Sequence, residues 1–455
     1  MLLKILKRKI DITTARKLLG PSKIIGVTAS NIDQALTAAR AGADYLGIGT
    51  VYATATKENS KHIIGPSGVR NIMSSLHENG FDDIGTVCIG GVNGSNLQRV
   101  LFQCASPSKQ LDGIAIVSAI MAAENPKAAS ARLLDLVRSP PPFASRNASA
   151  LSQASPPSGL PTAPSEILKL VPQLFAAVAK RKPLCHNITN LVVQNISANI
   201  AIALGGSPIM SSNGQEAPDL AKLGGSLLLN LGSVTADSLA NSLLATAAYN
   251  AVGGPVVFDP VGGGATAARR AAVRRMVDHS YFSVIKGNES EIQTVLGEKE
   301  VVQQGVDSGP ASGLSIEDKA RIVKRLASKE KCVVLMTGKT DLVSDGCRTY
   351  AISNGHPLLG EITGSGCTLG TTIAAFAAAE KNRDQEARGG DMLLAALAGC
   401  VVFELAAERA AAREEVRGPG TFVPAFIDEV YLMRQDTAKG QTGWIEDAKV
   451  EVIDV

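Results

Sequence analysis

Residues Gly360 to Gly370 read GEITGSGCTLG, a Gly-Ser-Gly turn placed directly before a cysteine and a long apolar run that predicts a helix. Gly364, Ser365 and Gly366 would supply the unpaired amides of a first helical turn, whose positive dipole end attracts anions, and glycines let that backbone approach a phosphate. Cys367 would stand in the same turn, where the field lowers a thiol's pKa and makes it a candidate base. The plainer reading is that the glycines shape a turn and Cys367 is a small buried apolar residue. Other polar residues follow apolar runs. Asp259 ends the strand in PVVFDPVGGGA, a carboxylate in position to meet magnesium. Lys286, Asn288 and Glu291 in SVIKGNESE can project toward one edge, although Glu291 also fits a first-turn acid that complements the helix dipole. Thr337-Gly338 ends the run CVVLM. In HNITN, Asn187 and Asn190 offer amide groups to a small polar heterocycle, or Thr189 or Asn190 caps the helix LVVQNISANIAIALGG.

The runs between these residues predict an α/β protein. From Ile24 onward, IIGVTA, DYLGIGTVY, TVCIGG and DGIAIVSAI each precede a helical segment, giving four β-then-α units and hence parallel strands joined by crossover helices. If such units form a barrel, the loops after their strands carry the site. Those loops hold Gly90-Gly91, Ser118, and Thr54-Ala55-Thr56-Lys57, whose two hydroxyls and ammonium can close around a diphosphate or simply be solvated. From Ser139 the composition turns to Pro, Ser and Ala without apolar periodicity, which predicts a linker. The second region resumes with the helix SEILKLVPQLFAAVAKRK, the strand SLLLNLGS, and a hairpin turned at Asp345-Gly346. Its last long helices, CTLGTTIAAFAAAE and DMLLAALAGCVVFELAAERAAAREE, have broad apolar faces suited to covering a sheet, with Cys400 as a core residue.

With 455 residues, 45% hydrophobic and 19% charged, the chain has the material for two or three domains of ordinary globular composition. A net charge of +3 with one short basic run, Lys4 to Lys9, gives nucleic-acid binding little support. Seven cysteines without a CxxC pair argue for free thiols in a reducing, cytoplasmic setting. No apolar run reaches spanning length, so no membrane partner is expected.

With these pieces in chain order, HNITN, SPIM, DPVGGGAT, KGNESE, MTG and TGSGC, the second region resembles hydroxyethylthiazole kinase of the ribokinase-like superfamily, as does its final GPGTFVPAFIDEVY. The resemblance implies a central, mostly parallel sheet with flanking helices, ATP and Mg2+ as cofactors, and hydroxyethylthiazole as substrate. It implies Cys367 as base, Gly364 to Gly366 as anion hole, Asp259 and Glu291 on the magnesium side, and Lys286, Asn288 and Thr337 at the nucleotide. It also implies Asn187 and Met210 in the thiazole pocket, and a homo-oligomer, trimer or hexamer, with active sites at subunit contacts. Lys286 stands where bacterial members have Arg, which keeps the charge but loses the bidentate fork. Another small alcohol such as hydroxymethylpyrimidine is the rival substrate.

The segment carrying GVTAS, GADYLGIGTVYATATK, CIGGVN and DGIAIVSAI is similar to the second half of thiamine-phosphate synthase, a (β/α)8 barrel. Tandem order of the two resembles the fungal bifunctional thiamine biosynthesis enzymes. Thr54, Thr56, Lys57, Gly91 and Ser118 match diphosphate-binding positions of a reaction that joins a pyrimidine diphosphate to the thiazole phosphate. The family's preceding strand carries a His-x-Gly-Gln-x-Asp signature, and this chain reads LKILKRKI there. The resulting expectation is a partial barrel of the last four βα units over 1–138, a linker over 139–164, a kinase over 165–435 and a tail over 436–455. Synthase activity is expected to be missing, the first region being a remnant, a shortened gene model or an assembly module.

Overall fold

In the first part of the chain the β-rich runs form parallel strands laid side by side in sequence order: β1 (Leu3–Ile5), β2 (Ile25–Ala29), β3 (Tyr45–Ile48), β4 (Gly85–Ile89) and β5 (Gly113–Ala115). The computed structural model describes residues 3–5, 11–54, 63–106, 108–144, 160–297, 313–381 and 390–455, which divide into two units, Met1–Pro141 and Pro142–Val455. Helices Ile12–Leu19, Ile32–Arg40, Gly65–Glu78 and Leu97–Cys104 make the crossovers. Side chains alternate across a strand, so Thr86 and Cys88 of β4 are buried while Gly85, Val87 and Ile89 on the other face are half-buried. Leu46, Ile48, Ile72, Met73, Leu76 and Val100 form the core.

Five strands stand where the sequence predicts four. Leu3, Lys4 and Ile5 pair in register with Ile25, Gly26 and Val27, so LKILKRKI does supply the preceding strand, without the polar signature. Among the described residues β1 and β5 are the two edges of an open sheet, not neighbours in a closed barrel.

The second unit holds a sheet of nine strands among the described residues. These are β6 (Leu184–Ile188), β7 (Ser207–Ile209), β8 (Ser226–Asn230), β9 (Val256–Asp259), β10 (Val284–Asn288), β11 (Val333–Thr337), β12 (Asp341–Ser344), β13 (Thr349–Ile352) and β14 (Val450–Val452), in the order β14-β13-β12-β11-β10-β9-β8-β6-β7. β6 through β11 run parallel and the remaining three, β12 to β14, pair antiparallel. The chain steps outward from β6 to β7 and returns past it to β8, which makes the β6–β8 junction a topological switch point, where sheets of this kind bind ligands beyond their strand C-termini. The helix Ser365–Lys381 is buried on every side from Cys367 to Glu380. It and the helix Met392–Ala411 pack with Leu228, Val257, Val284 and Leu335 on one face of the sheet, while Leu229, Phe258 and Ile285 face Tyr249 and Val323 on the other.

Three boundaries differ from the sequence reading. Residues 436–455 are not a tail. Trp444 is buried edge-on to Phe175, its Nε1 donates to Thr437 Oγ1 at 3.1 Å, and β14 pairs with β13. Both described ends of the proline-rich segment attach to the second unit: the Phe143 ring lies 4.7 Å from that of Tyr281, Arg348 donates to Pro161 O, and Tyr350 donates to Thr162 O. The β12–β13 hairpin closes through four residues, Asp345 to Arg348, because the Arg348 guanidinium folds back between the Asp345 and Asp391 carboxylates at 2.8 Å from each. Beneath β12 lies a buried group formed by Asp341, Cys400 and Glu404, with Cys400 Sγ 3.1 Å from Asp341 Oδ2 and 3.5 Å from Glu404 Oε1.

Candidate active site

The GSG turn opens a helix as its sequence predicts. Ser365 is the first helical residue, and Thr368 N donates to Gly364 O at 2.9 Å as the first helical bond. Gly364 adopts a φ of +81°, and a Cβ there would lie 2.1 Å from Val193 Cγ1, so position 364 accepts only glycine without rearrangement. A Cβ at Gly366 would lie 3.2 Å from Lys286 Nζ, which places the ammonium beside the first turn. Backbone N–H groups and one fixed positive charge thus converge where a phosphoryl group can sit.

Period-2 alternation brings the other polar residues to this turn. Leu228, Val257 and Val284 face the Ser365–Lys381 helix, so Asn230, Asp259 and Lys286, each two residues further along, face it too at the strand C-termini. Asp259 is fully buried, its Oδ2 accepts from Asn230 Nδ2 at 2.8 Å, and its Oδ1 lies 3.5 Å from Lys286 Nζ with no hydrogen-bond partner. Burial pulls the Lys286 ammonium toward neutrality, but the charges of Asp259, Glu291 and Cys367 hold its pKa above the ordinary lysine value. It is a standing cation.

Cys367 does not carry the depressed pKa expected of a thiol at a helix N-terminus. Burial, and after it the Asp259 carboxylate, push it up to about 11, against the opposing pull of Lys286 and the amides of Asn230 and Asn190. The residue is 9% exposed, so the dipole acts on a sulfur largely withdrawn from water.

Glu291 has backbone partners on both oxygens. Its Oε2 accepts from Asn288 N and its Oε1 from Gly262 N, each at 2.8 Å, while Asn288 Oδ1 accepts from Glu291 N at 3.0 Å. This is a capping box that also ties the turn after β9 to the turn after β10. Burial, then Asp259, raises the Glu291 pKa to about 7. Each carboxylate oxygen accepts one backbone N–H, which fixes the Glu291 side chain between the two turns and leaves a further lone pair on each oxygen. Asp259 fits a metal-ligand role through its unpartnered Oδ1.

Asn187 is likewise engaged internally. Its Oδ1 accepts from Thr371 Oγ1 and its Nδ2 donates to Cys185 O, both at 2.8 Å, so each end of the amide has one protein partner and keeps one further donor or lone pair. Met210 follows β7 half-buried, and Thr337 ends β11 in register with Asn288, both at the same sheet edge as Cys367. Asn190, an alternative cap or amide ligand in the sequence, instead donates through Nδ2 to Asn230 Oδ1 at 3.0 Å and to Cys367 Sγ at 3.6 Å. Asn230 was not singled out by sequence; its signal was a polar residue closing the apolar run SLLLN.

In the first unit, the loops after β3, β4 and β5 lie at one sheet edge, since the strands are parallel. A Cβ at Gly91 would lie 2.7 Å from Tyr52 Cβ and 2.8 Å from Ala53 O, so the turn after β4 rests on the segment leading to Thr54. Ser118 begins a short helix and is exposed. Thr56 and Lys57 lie outside the described residues.

The model of the Hydroxyethylthiazole kinase family matches residues 175–436. The chain belongs to this family. A hydroxyethylthiazole kinase from Pyrococcus horikoshii is 32% identical and superposes with a TM-score of 0.53, the match covering 63% of this chain and 100% of that one. Ahead of the kinase-family region, residues 3–120 match the model of the Thiamine monophosphate synthase family. The "Probable thiamine biosynthetic bifunctional enzyme" of Schizosaccharomyces pombe is 38% identical over 450 residues, 97% of this chain and 82% of that protein. The "Thiamine biosynthetic bifunctional enzyme" of Saccharomyces cerevisiae is 35% identical over 449 residues, 93% of this chain and 79% of that protein. The expectation that synthase activity is missing therefore finds no support. No described helix is long and apolar enough to cross a membrane.

Proposed function

We propose that the second unit transfers the γ-phosphoryl group of ATP to the primary alcohol of hydroxyethylthiazole. The observation that carries this reading is the convergence of a free helix start, the Lys286 ammonium and the Asp259 carboxylate around Cys367, in a chain of the hydroxyethylthiazole kinase family. Amides of Ser365, Gly366 and Cys367, with Lys286, neutralise charge on the moving phosphoryl group. The alcohol oxygen bonds to the γ-phosphorus as the bond to the bridging oxygen breaks, ADP leaves, and the alcohol proton passes to the Cys367 sulfur in its thiolate form. A magnesium ion, when bound with ATP, would be held by Asp259 Oδ1 and would offset phosphate charge. Glu291 acts as a brace for two turns, and Asn187 as an anchor between β6 and the Ser365–Lys381 helix. Met210 and Thr337 remain the thiazole and nucleotide contacts of this reading.

For the first unit, the synthase-family match supports coupling of a pyrimidine diphosphate with the thiazole phosphate and release of diphosphate, with Thr54, Gly91 and Ser118 on the loops that meet the diphosphate. The purified full chain is expected to consume ATP on hydroxyethylthiazole well above hydroxymethylpyrimidine, and to form thiamine phosphate when pyrimidine diphosphate is added. Equal turnover of the two alcohols would remove the thiazole assignment; absence of coupled product would remove the synthase assignment alone.

A further inference from the structure

Between the strand ends and the reactive cysteine lies a layer of two carboxamides. Asn190 Nδ2 is 3.0 Å from Asn230 Oδ1 and 3.6 Å from Cys367 Sγ, and Asn230 Nδ2 is 2.8 Å from Asp259 Oδ2. Both amide oxygens also accept from backbone donors. Val192 N donates to Asn190 Oδ1 at 3.1 Å, and Gly232 N to Asn230 Oδ1 at 2.9 Å. Both side chains are buried, so neither amide is free to rotate into water. The layer depends on one absent side chain. A Cβ at Gly232 would stand 2.7 Å from Asn190 Nδ2, 2.8 Å from Asn190 Cβ and 2.9 Å from Asn230 Oδ1, closer than real Cβ atoms come. Gly232 has no left-handed φ, so glycine is needed here for space alone.

We infer that Asn190 and Asn230 are positioning residues for Cys367, held against its sulfur by the room that Gly232 leaves. This rests on the reading of Cys367 as the group that accepts the alcohol proton. An N–H aimed at the sulfur keeps it over the first helical turn and stabilises the anionic form that takes the proton. Asn230 couples that alignment to Asp259, so the carboxylate and the sulfur keep a fixed relation while substrates enter.

The test uses the full chain with Asn190→Asp, which keeps the shape and removes the N–H donors, and Gly232→Ala, which displaces the amides by contact. The first reading is the rate at which iodoacetamide alkylates Cys367, followed on its peptide by mass spectrometry with Cys367→Ser as the blank. The expected result in either variant is a rate about tenfold below the parent's, with kcat lowered by a similar factor and the KM for ATP little changed. In a Cys367→Ala background the same substitutions are expected to cost nothing further, since the residue they act through is gone. Alkylation at the parent rate in Asn190→Asp overturns the inference, and should Gly232→Ala not fold, Asn190→Asp decides alone. Full turnover in Cys367→Ala by itself would instead overturn the base assignment, because alkylation is read without turnover.

Discussion

At the scale of single residues, the proposed proton acceptor is Cys367, and its environment sets a pH dependence for that role. A thiol pushed up to about 11 is almost wholly protonated near neutrality, so the fraction able to take a proton grows about tenfold per pH unit below that value. Turnover of the parent is therefore expected to climb with pH through the neutral range. Cys367→Asp, already ionised there, should stay active with a flat profile. Cys367→Ala should still bind ATP but lose turnover by about 10²-fold or more, the usual share of a positioned base. Initial rates of the three proteins between pH 6 and 9 check this, and a parent profile as flat as the aspartate variant's would mean the sulfur does not carry the proton. The turn around Cys367 was legible in sequence because it is local: two glycines, a serine and a cysteine before an apolar run specify the helix start by themselves. Its pKa was not, because it is set first by burial in the folded unit and then by the charges of Asp259 and Lys286, which come from separate strands.

The same distinction holds for whole elements. Parallel strands and covering helices follow from apolar runs a few residues long, and they formed where the sequence predicts them. β1 and β14 were hidden, since three-residue strands carry no periodicity and exist by pairing with Val27 or Tyr350. The capping box of Asn288 and Glu291 was visible only as one of two readings, because an acid at that position serves a helix or a metal equally well, and the bond from Gly262 N that ties it to the turn after β9 comes from a distant part of the sequence. A further element-level consequence concerns β12 and the Met392–Ala411 helix, which press Asp341 and Glu404 together out of water. Burial, and then the Asp341 charge, raise the Glu404 pKa well above the ordinary glutamate value of 4.5. The folded chain thus keeps a proton that the unfolded chain releases above that pH, and stability falls as pH rises from there toward the folded-state pKa. Glu404→Gln cannot titrate and can still accept from Cys400. It should gain stability at pH 8 relative to the parent, on the order of 1–2 kcal/mol, and show less loss between pH 5 and 8. Thermal melts at the two pH values report the difference, and equal slopes for both proteins would place the shared proton elsewhere.

For the whole molecule, the second unit brings the candidate site residues together at one sheet edge but leaves apolar surface beside it. Leu191 and Val192 are 81% and 69% exposed and directly follow Asn190, whose Oδ1 holds Val192 N. Adjacent bulky apolar residues in water are unfavourable, and neighbouring molecules cover such patches when chains associate. A second copy of the chain lying over them would also immobilise the Asn190 loop and, through it, the amide on the Cys367 sulfur, making turnover depend on assembly. The parent is accordingly expected to be a homo-oligomer whose activity per chain falls when dilution splits it. Leu191→Asp with Val192→Asp should give a smaller species of lower kcat. Deleting residues 1–140 should leave the assembly intact if the kinase unit alone makes these contacts, whereas a drop to monomer would give the first unit the assembly role. Light scattering beside kinase assays over a dilution series separates these outcomes: unchanged activity per chain in a fully dissociated sample would leave Leu191 and Val192 as surface residues without a part in the site.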